Sequence, residues 1–477
     1  MVHNQPETTD SAAPDHPRHH CGVIGVFGVP NAARHVYSGL YALQHRGQES
    51  AGIVASDGRK IQSKKGLGLL SEAIQPEELD ELPGHIAVGH VRYSTTGAKR
   101  VQNIQPLVVE YSQGIVAIAH NGNLTNARSL RDMYESRGSI FQTATDSEIV
   151  VHLLADPEHI GVADPLGESL QHVSGAFSLL MMTSNRLMAA RDPHGFRPLA
   201  VGRLGDGYVV ASETCAFDLL RAKYLRDVEP GEILSIDEEK MRSWSYTPAR
   251  KRKAQCLFEH IYFARPDSKI FGETVHNVRV HLGENLAEDS PAEADAVISV
   301  PHSGDQAALG YARRSGLPLD MGFVCNRYVG RTFIQPPEEN RSESVEIKLN
   351  VIADVVRGKR LVVVDDSLVR GTTCRARLSM LREAGAEELH MRISAPPIRH
   401  PCYYGIDFPD TRQLLAANNS VEEIREFLGV DSFAYQTVDG LLDAVSGERE
   451  DYCLACFTGN HPVTPEENMD RLAMERQ

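Results

Sequence analysis

The chain has 477 residues, 42% of them hydrophobic, and a formal net charge of −15. That length fits two to four domains of roughly 100–200 residues each, and the acidic balance excludes nucleic-acid binding by bulk charge while leaving room for small anions held locally. No apolar run approaches the ~18 residues of a membrane span, and residues 1–20 lack the basic and apolar regions of a secretory signal. A cytoplasmic chain with no membrane association is expected, and in that compartment its eight cysteines are reduced, catalytic or metal-bound rather than paired.

Taken from the start, residues 1–20 form a polar leader ahead of Cys21-Gly22-Val-Ile-Gly-Val-Phe. Removal of the leader would make Cys21 the first residue, with a thiol and a free α-amine together. That amine, with a pKa of about 7.7–8.0, is a fitting base for its own sulfur. A buried core thiol behind a loose tail fits the same residues. From Gly22 to about Asp237 short β-rich runs such as Ile115–Ala119, Phe177–Met182 and Tyr208–Ala211 alternate with tight turns. Asn31–Leu43 and Ser147–Leu154 read as helices, which together suggest sheets covered by helices. Pro248–Lys253 is a charged hinge.

Beyond residue 255 the style changes. Ala296–Val300 and Leu361–Val364 are continuous apolar runs, as expected of strands buried on both faces, and Asp305–Ser315, Thr372–Ala384 and Val421–Leu428 read as helices between them. This is the pattern of a doubly wound parallel sheet. Within it, Val362-Val-Val-Asp365-Asp366-Ser367-Leu-Val-Arg370-Gly371-Thr372-Thr373 is a buried strand ending in two carboxylates, a glycine-bearing loop and a helix start. Ligands of open α/β sheets sit beyond the carboxyl ends of strands, and loop N–H groups with a helix N-terminus make an anion site. The paired acids suit ribose hydroxyls or a hard cation such as Mg²⁺. Cys453-Leu-Ala-Cys456 is a Cys-x-x-Cys pair, open to zinc, redox chemistry or no role.

The strand–acid–loop motif resembles the signature of type I phosphoribosyltransferases, in the form found in glutamine phosphoribosylpyrophosphate amidotransferases. The resemblance continues through Tyr262–Ser268, Asn326–Ile334 and His400–Asp407, and covers nearly the whole chain after the leader. It implies residues 1–20 as a cleaved propeptide, 21–254 as a glutaminase domain with the αββα sandwich of N-terminal nucleophile hydrolases, and 255–477 as a phosphoribosyltransferase domain with a mostly parallel sheet. Glutamine and phosphoribosyl pyrophosphate are the implied substrates.

The same likeness assigns roles residue by residue. Cys21 matches the nucleophile; Asn121 and Gly122, in His120-Asn-Gly-Asn-Leu, match the oxyanion hole. Arg92 matches the residue gripping glutamine's α-carboxylate, and Asp146 the acid receiving its α-ammonium. Gln44–Gln48 and Arg191–Leu199 also fit the family. On the phosphoribosyl side, Asp365, Asp366 and Ser303 match Mg²⁺ ligands. Asp365, Asp366, Ser367, Arg370, Gly371, Thr372, Thr373, Arg331 and Lys348 match binding positions for the substrate. Cys256, Cys402, Cys453 and Cys456 stand where some members hold a [4Fe–4S] cluster, with zinc the rival. A homotetramer inhibited by purine nucleotides is also implied. His302 and Cys325 depart from the family's usual acid and lysine, which keeps a weakened, phosphoribosyl-pyrophosphate-binding regulatory paralogue in view as an alternative.

Overall fold

The structure is a computed structural model, and it describes residues 21–93, 100–159, 161–247, 252–326, 349–408 and 411–465. The chain divides into two compact units. Of the described residues, one unit comprises those within 283–400 and 408–438; the other comprises those within 21–282, 401–407 and 439–465. Residues 255–282 and two later segments belong with the two-sheet unit, because Cys256 pairs in register with Cys453 and Arg197 grips the Tyr404 carbonyl. The described end of the charged hinge, Arg252 and Lys253, is tied to Glu450 and Asp451; residues 248–251 lie outside the described residues.

In the larger unit, strands β1 (Gly22–Phe27), β2 (Ser50–Ser56), β3 (Ile61–Leu67), β4 (Ile86–Arg92), β9 (Ala200–Leu204), β10 (Gly207–Ala211) and β11 (Lys223–Asp227) form one antiparallel sheet. Its order is β11-β9-β10-β1-β4-β2-β3. The second sheet orders β13 (Met241–Ser245), β12 (Glu232–Ile236), β8 (Leu187–Arg191), β7 (Gly175–Met182), β6 (Gly114–Leu124) and β5 (Leu107–Tyr111). Val23, Val54, Val88, Ala117, Leu180 and Leu187 share one buried core between the sheets. Each outer face is covered by helices. Helix Ala32–Ala42 buries Ala32, Ala33, Val36, Gly39 and Leu40, spaced by three and four residues so that they line one face against the first sheet. Helix Ser147–Leu154 buries Ile149, Val150 and Leu153 against the second. Both faces of β1 are thus covered, which is why Gly22-Val-Ile-Gly-Val-Phe is apolar without alternation. This is the expected αββα layering.

The smaller unit holds a five-stranded parallel sheet in the order Leu319–Asp320, Ala296–Ser299, Arg360–Asp365, Glu388–Ile393, Ser432–Tyr435. Helices Asp305–Ser315, Thr372–Glu383 and Val421–Leu428 connect or flank the strands. The central strand Arg360–Asp365 is flanked by parallel neighbours on both sides, so its apolar run is buried and its carboxyl end delivers Asp365 and Asp366 to the rim. Among the described residues no helix is long and apolar enough to cross a membrane.

Candidate functional site

Cys21 sits immediately before β1, in the middle of the first sheet, and is 8% exposed. Its thiol donates to the Tyr93 carbonyl at 3.5 Å, and its own carbonyl accepts from Arg46 Nε at 3.1 Å. Burial pushes the thiol pKa up. Asp146 and Glu49 act in the same direction, and the Arg92 guanidinium opposes them. A thiol held in this way is protonated at neutral pH, and its use as a nucleophile requires a base. The fold thus brings Cys21, Arg92 and Asp146, far apart in sequence, within electrostatic reach of one another.

Asp146 stands just before helix Ser147–Leu154. Its Oδ2 accepts from the Leu124 N–H at 2.9 Å and its Oδ1 lies 3.5 Å from His120 Nδ1. Burial raises the carboxyl, but His120 and these hydrogen bonds outweigh it and the net shift is downward, so Asp146 is an anion. Gln105 braces the same strand: its Oε1 accepts from His120 N at 2.7 Å and its Nε2 donates to Ser147 Oγ at 3.0 Å. Burial pushes His90 down to about 3, so its ring is neutral while bonded to the His120 carbonyl.

Asn121 follows His120 on β6. It is completely buried, and neither its Oδ1 nor its Nδ2 has a hydrogen-bond partner among the described residues. Buried amides are nearly always paired, so this orphan calls for a ligand. Gly122 has φ +152°, and a Cβ there would fall 2.0 Å from the Ala176 carbonyl oxygen, so only glycine fits.

Sequence reasoning missed what holds this array. Arg46, Glu213, Glu259 and Arg197 form a buried ionic cluster. Arg46 Nη1 lies 2.5 Å from Glu213 Oε1, and its Nη2 lies 2.8 Å from Glu259 Oε1. Arg197 Nη1 lies 3.1 Å from that same Glu259 oxygen. The signal was in the motifs Gln44–Gln48 and Arg191–Leu199, matched but given no role; a burial of arginine is invisible in sequence.

In the smaller unit the two acids are 1% and 0% exposed. The Asp366 N–H donates to Asp365 Oδ1 at 2.9 Å, Ser303 Oγ donates to the same oxygen at 3.4 Å, and Arg377 Nη1 lies 3.5 Å from Asp365 Oδ2. Burial, reinforced by Asp366, drives the Asp365 carboxyl well above the usual range. Asp366 Oδ1 is buried without a partner. Two buried carboxyls, one with an oxygen unpartnered among the described residues, and a serine hydroxyl are oxygen donors of the kind a hard cation takes, and they fit Mg²⁺. Gly371 (φ +84°) turns the loop into helix Thr372–Glu383, where Thr372 and Thr373 open the first turn. Arg370 Nη2 lies 2.5 Å from Gln413 Oε1. Arg331 and Lys348 lie outside the described residues. His302 is exposed, with Nδ1 3.3 Å from Asp305 Oδ2, and Cys325 ends a short strand, Phe323–Cys325.

Cys256, Cys402, Cys453 and Cys456 all fall in the two-sheet unit, and all are free thiols. Burial pushes Cys256 up to about 11 and raises Cys453 and Cys456 further, with the neighbouring thiols adding to each shift. The four thiols come from three segments of one unit, with Cys256 in register beside Cys453, and thiolates are the ligands an iron–sulfur centre takes. Among the described residues, however, no group of three or more His, Cys, Asp or Glu is arranged to hold a metal ion.

A buried thiol, an anion, a cation and a buried amide unpartnered among the described residues, on an αββα scaffold, with an acid-tipped parallel sheet in the second unit, are the makings of a glutamine amidotransferase joined to a phosphoribosyltransferase. A family model described as a glutamine amidotransferase domain matches residues 90–218. The amidophosphoribosyltransferase of Bacillus subtilis is 49% identical over 448 residues, covering 93% of this chain and 94% of that protein. That of Archaeoglobus fulgidus is 47% identical, covering 93% of this chain and 98% of its own. The solved glutamine phosphoribosylpyrophosphate amidotransferase from B. subtilis, complexed with ADP and GMP, superposes with a TM-score of 0.89 at 48% identity, covering 94% of this chain and 98% of that one. The chain belongs to the amidophosphoribosyltransferase family.

Proposed function

We propose that this chain hydrolyses glutamine and transfers the ammonia to C1 of phosphoribosyl pyrophosphate, giving 5-phosphoribosylamine, glutamate and pyrophosphate, the entry reaction of purine synthesis. Full-length relatives at 47–49% identity support the reaction. The observation that carries the glutaminase half is the buried, unpartnered Asn121 amide beside His120, which is itself paired to Asp146.

Residues 1–20 are removed, and the α-amine of Cys21 takes the thiol proton. The sulfur attacks the glutamine amide; Asn121 Nδ2 and the Gly122 N–H receive the oxyanion. Arg92 holds the substrate α-carboxylate and Asp146 its α-ammonium. Collapse expels ammonia and leaves a thioester, which water hydrolyses to glutamate.

In the smaller unit, Ser367, Arg370, Gly371, Thr372 and Thr373 cradle the 5-phosphate, and Asp365 and Asp366 face the ribose. Arg331 and Lys348, outside the described residues, would add positive charge for substrate binding. Asp365, Asp366 and Ser303 would hold Mg²⁺, which when bound neutralises charge on the departing pyrophosphate. Cys256, Cys402, Cys453 and Cys456 would hold a [4Fe–4S] cluster that cross-links three segments and takes part in no step. The solved relative's ADP and GMP support inhibition by purine nucleotides; a homotetramer in the cytoplasm completes the reading.

The test is pyrophosphate release by the purified chain with Mg²⁺ under anaerobic conditions, with glutamine and with ammonium as donor, alongside its intact mass. A chain beginning at Cys21 that uses both donors is expected. Failure with both donors would favour the regulatory alternative.

A further inference from the structure

The segment Cys402–Gly405 lies against the strand that carries Asn121 and Gly122. Asn123 Nδ2 donates to the Tyr403 carbonyl at 2.9 Å. The next carbonyl, of Tyr404, accepts from Arg197 Nε at 3.1 Å and Nη2 at 2.6 Å. The Tyr404 ring stacks on Phe196 with centroids 4.2 Å apart, and its hydroxyl donates to the Val463 carbonyl at 2.7 Å. The Tyr404 N–H donates to Cys402 Sγ at 3.4 Å. Two successive carbonyls, one ring and one hydroxyl are therefore all fixed, and the segment is a rigid surface.

Gly405 completes that surface. Its φ is +104°, and a Cβ there would meet Gly122 C at 3.2 Å and Gly122 O at 3.3 Å. Gly122 has no side chain of its own to hold its peptide in place. Its backbone stands opposite Phe177 in the ladder, and Gly405 packs close behind its carbonyl. An oxyanion hole works only when its donors are held where charge develops, and displacements on the order of 1 Å cost about 10²-fold in rate.

We propose that Cys402–Gly405 is the rear wall of the oxyanion hole, with Asn123 and Gly405 as positioning residues for glutamine hydrolysis. This rests on the glutaminase reading above. Neither residue touches substrate; each acts through the Gly122 backbone.

Asn123→Ala and Gly405→Ala separate this role from general support. The readouts are kcat and KM for glutamine hydrolysis, the alkylation rate of Cys21 by iodoacetamide, and ammonium-dependent pyrophosphate release. The expected result is a kcat at least tenfold lower, with KM, alkylation and the ammonium-dependent reaction within about threefold of wild type. Should Gly405→Ala fail to fold, Asn123→Ala decides alone. Hydrolysis within twofold of wild type overturns the wall, and so does a parallel fall in alkylation and ammonium use, which marks loosening of the whole unit. A wild-type chain that releases pyrophosphate from ammonium but hydrolyses no glutamine overturns the glutaminase reading and the wall together, whereas a competent wild type with unaffected variants overturns the wall alone.

Discussion

Arg46 donates from Nε to the carbonyl oxygen of Cys21 at 3.1 Å while its two terminal nitrogens engage Glu213 and Glu259. The backbone at the start of β1 is thus fixed by a cation whose charge is neutralised by two carboxylates from other segments. None of the three side chains has exposed surface.

Arg46→Ala would leave Glu259 with Arg197 and Glu213 with His45 as their remaining side-chain cationic partners in this cluster, the two carboxylates still buried and each short of one cation. Removing one partner of a buried pair typically costs about 3–5 kcal/mol, so the denaturation midpoint should fall clearly, together with glutamine hydrolysis. Arg46→Lys keeps the charge but loses the fork that reaches three acceptors, and should fall between the two. An Arg46→Ala variant as stable as wild type in urea would show that the cluster contributes nothing.

The same cluster predicts an acid limb of stability. Burial pushes the Glu213 carboxyl up, but His45 and Arg46 outweigh it, and the folded state holds it well below the usual carboxylate range. A depressed folded value means that the contribution is fully present above the unfolded pKa of about 4.3 and is lost as pH falls toward the folded value. Urea midpoints measured downward from neutrality should stay level to about pH 5 and then drop. Glu213→Gln should be less stable at neutral pH and show a shallower acid drop.

Asn121→Ala should separate stability from chemistry. The side-chain amide makes no hydrogen bond among the described residues, so its loss should cost little, within about 1 kcal/mol of small-cavity effects. Glutamine hydrolysis should fall about 10²–10³-fold, the usual loss for an oxyanion donor. Ammonium-dependent pyrophosphate release should persist. Equal loss of both reactions would remove Asn121 from the glutamine site.

Mg²⁺ should raise the melting temperature of the wild-type chain, because a ligand bound only by the folded state stabilises it, by about 2.7 kcal/mol at a hundredfold excess over its Kd. Asp366→Asn keeps the shape but loses the charge of the orphaned oxygen, and should abolish the shift. A shift of wild-type size in the variant would place the cation elsewhere.

Anaerobically purified chain should contain iron and sulfide in equal amounts, and Cys453→Ser should lose both. Zinc without sulfide would replace the cluster by a mononuclear site, with the four thiols drawn closer than they now stand.

Legibility in the sequence followed how local the cause was. The strands around Ile115–Ala119 and Phe177–Met182 and the helices Ser147–Leu154 and Val421–Leu428 were readable because apolar spacing sets them within a few residues. The acid-tipped loop Asp365–Thr373 was readable because strand, carboxylates, glycine and helix start are contiguous. The division into units was not. Residues 401–407 and 439–465 return to the two-sheet unit through contacts between distant segments, such as Cys256 beside Cys453 and Arg197 on the Tyr404 carbonyl, that no spacing announces.

By itself the sequence determined the helix-covered sheets, the parallel sheet, and the residue types the chemistry needs, because periodicity and contiguous motifs are properties of neighbours along the chain, and the family resemblance of those motifs implied the αββα layering. Only the tertiary structure decided that Arg46 holds the Cys21 carbonyl, that Asn121 is left without partners, and that Gly405 backs Gly122. Those relationships join residues 25 to nearly 300 positions apart. They exist because burial removes water as an alternative partner, so each polar group is left with whatever the packing of distant segments brings to it.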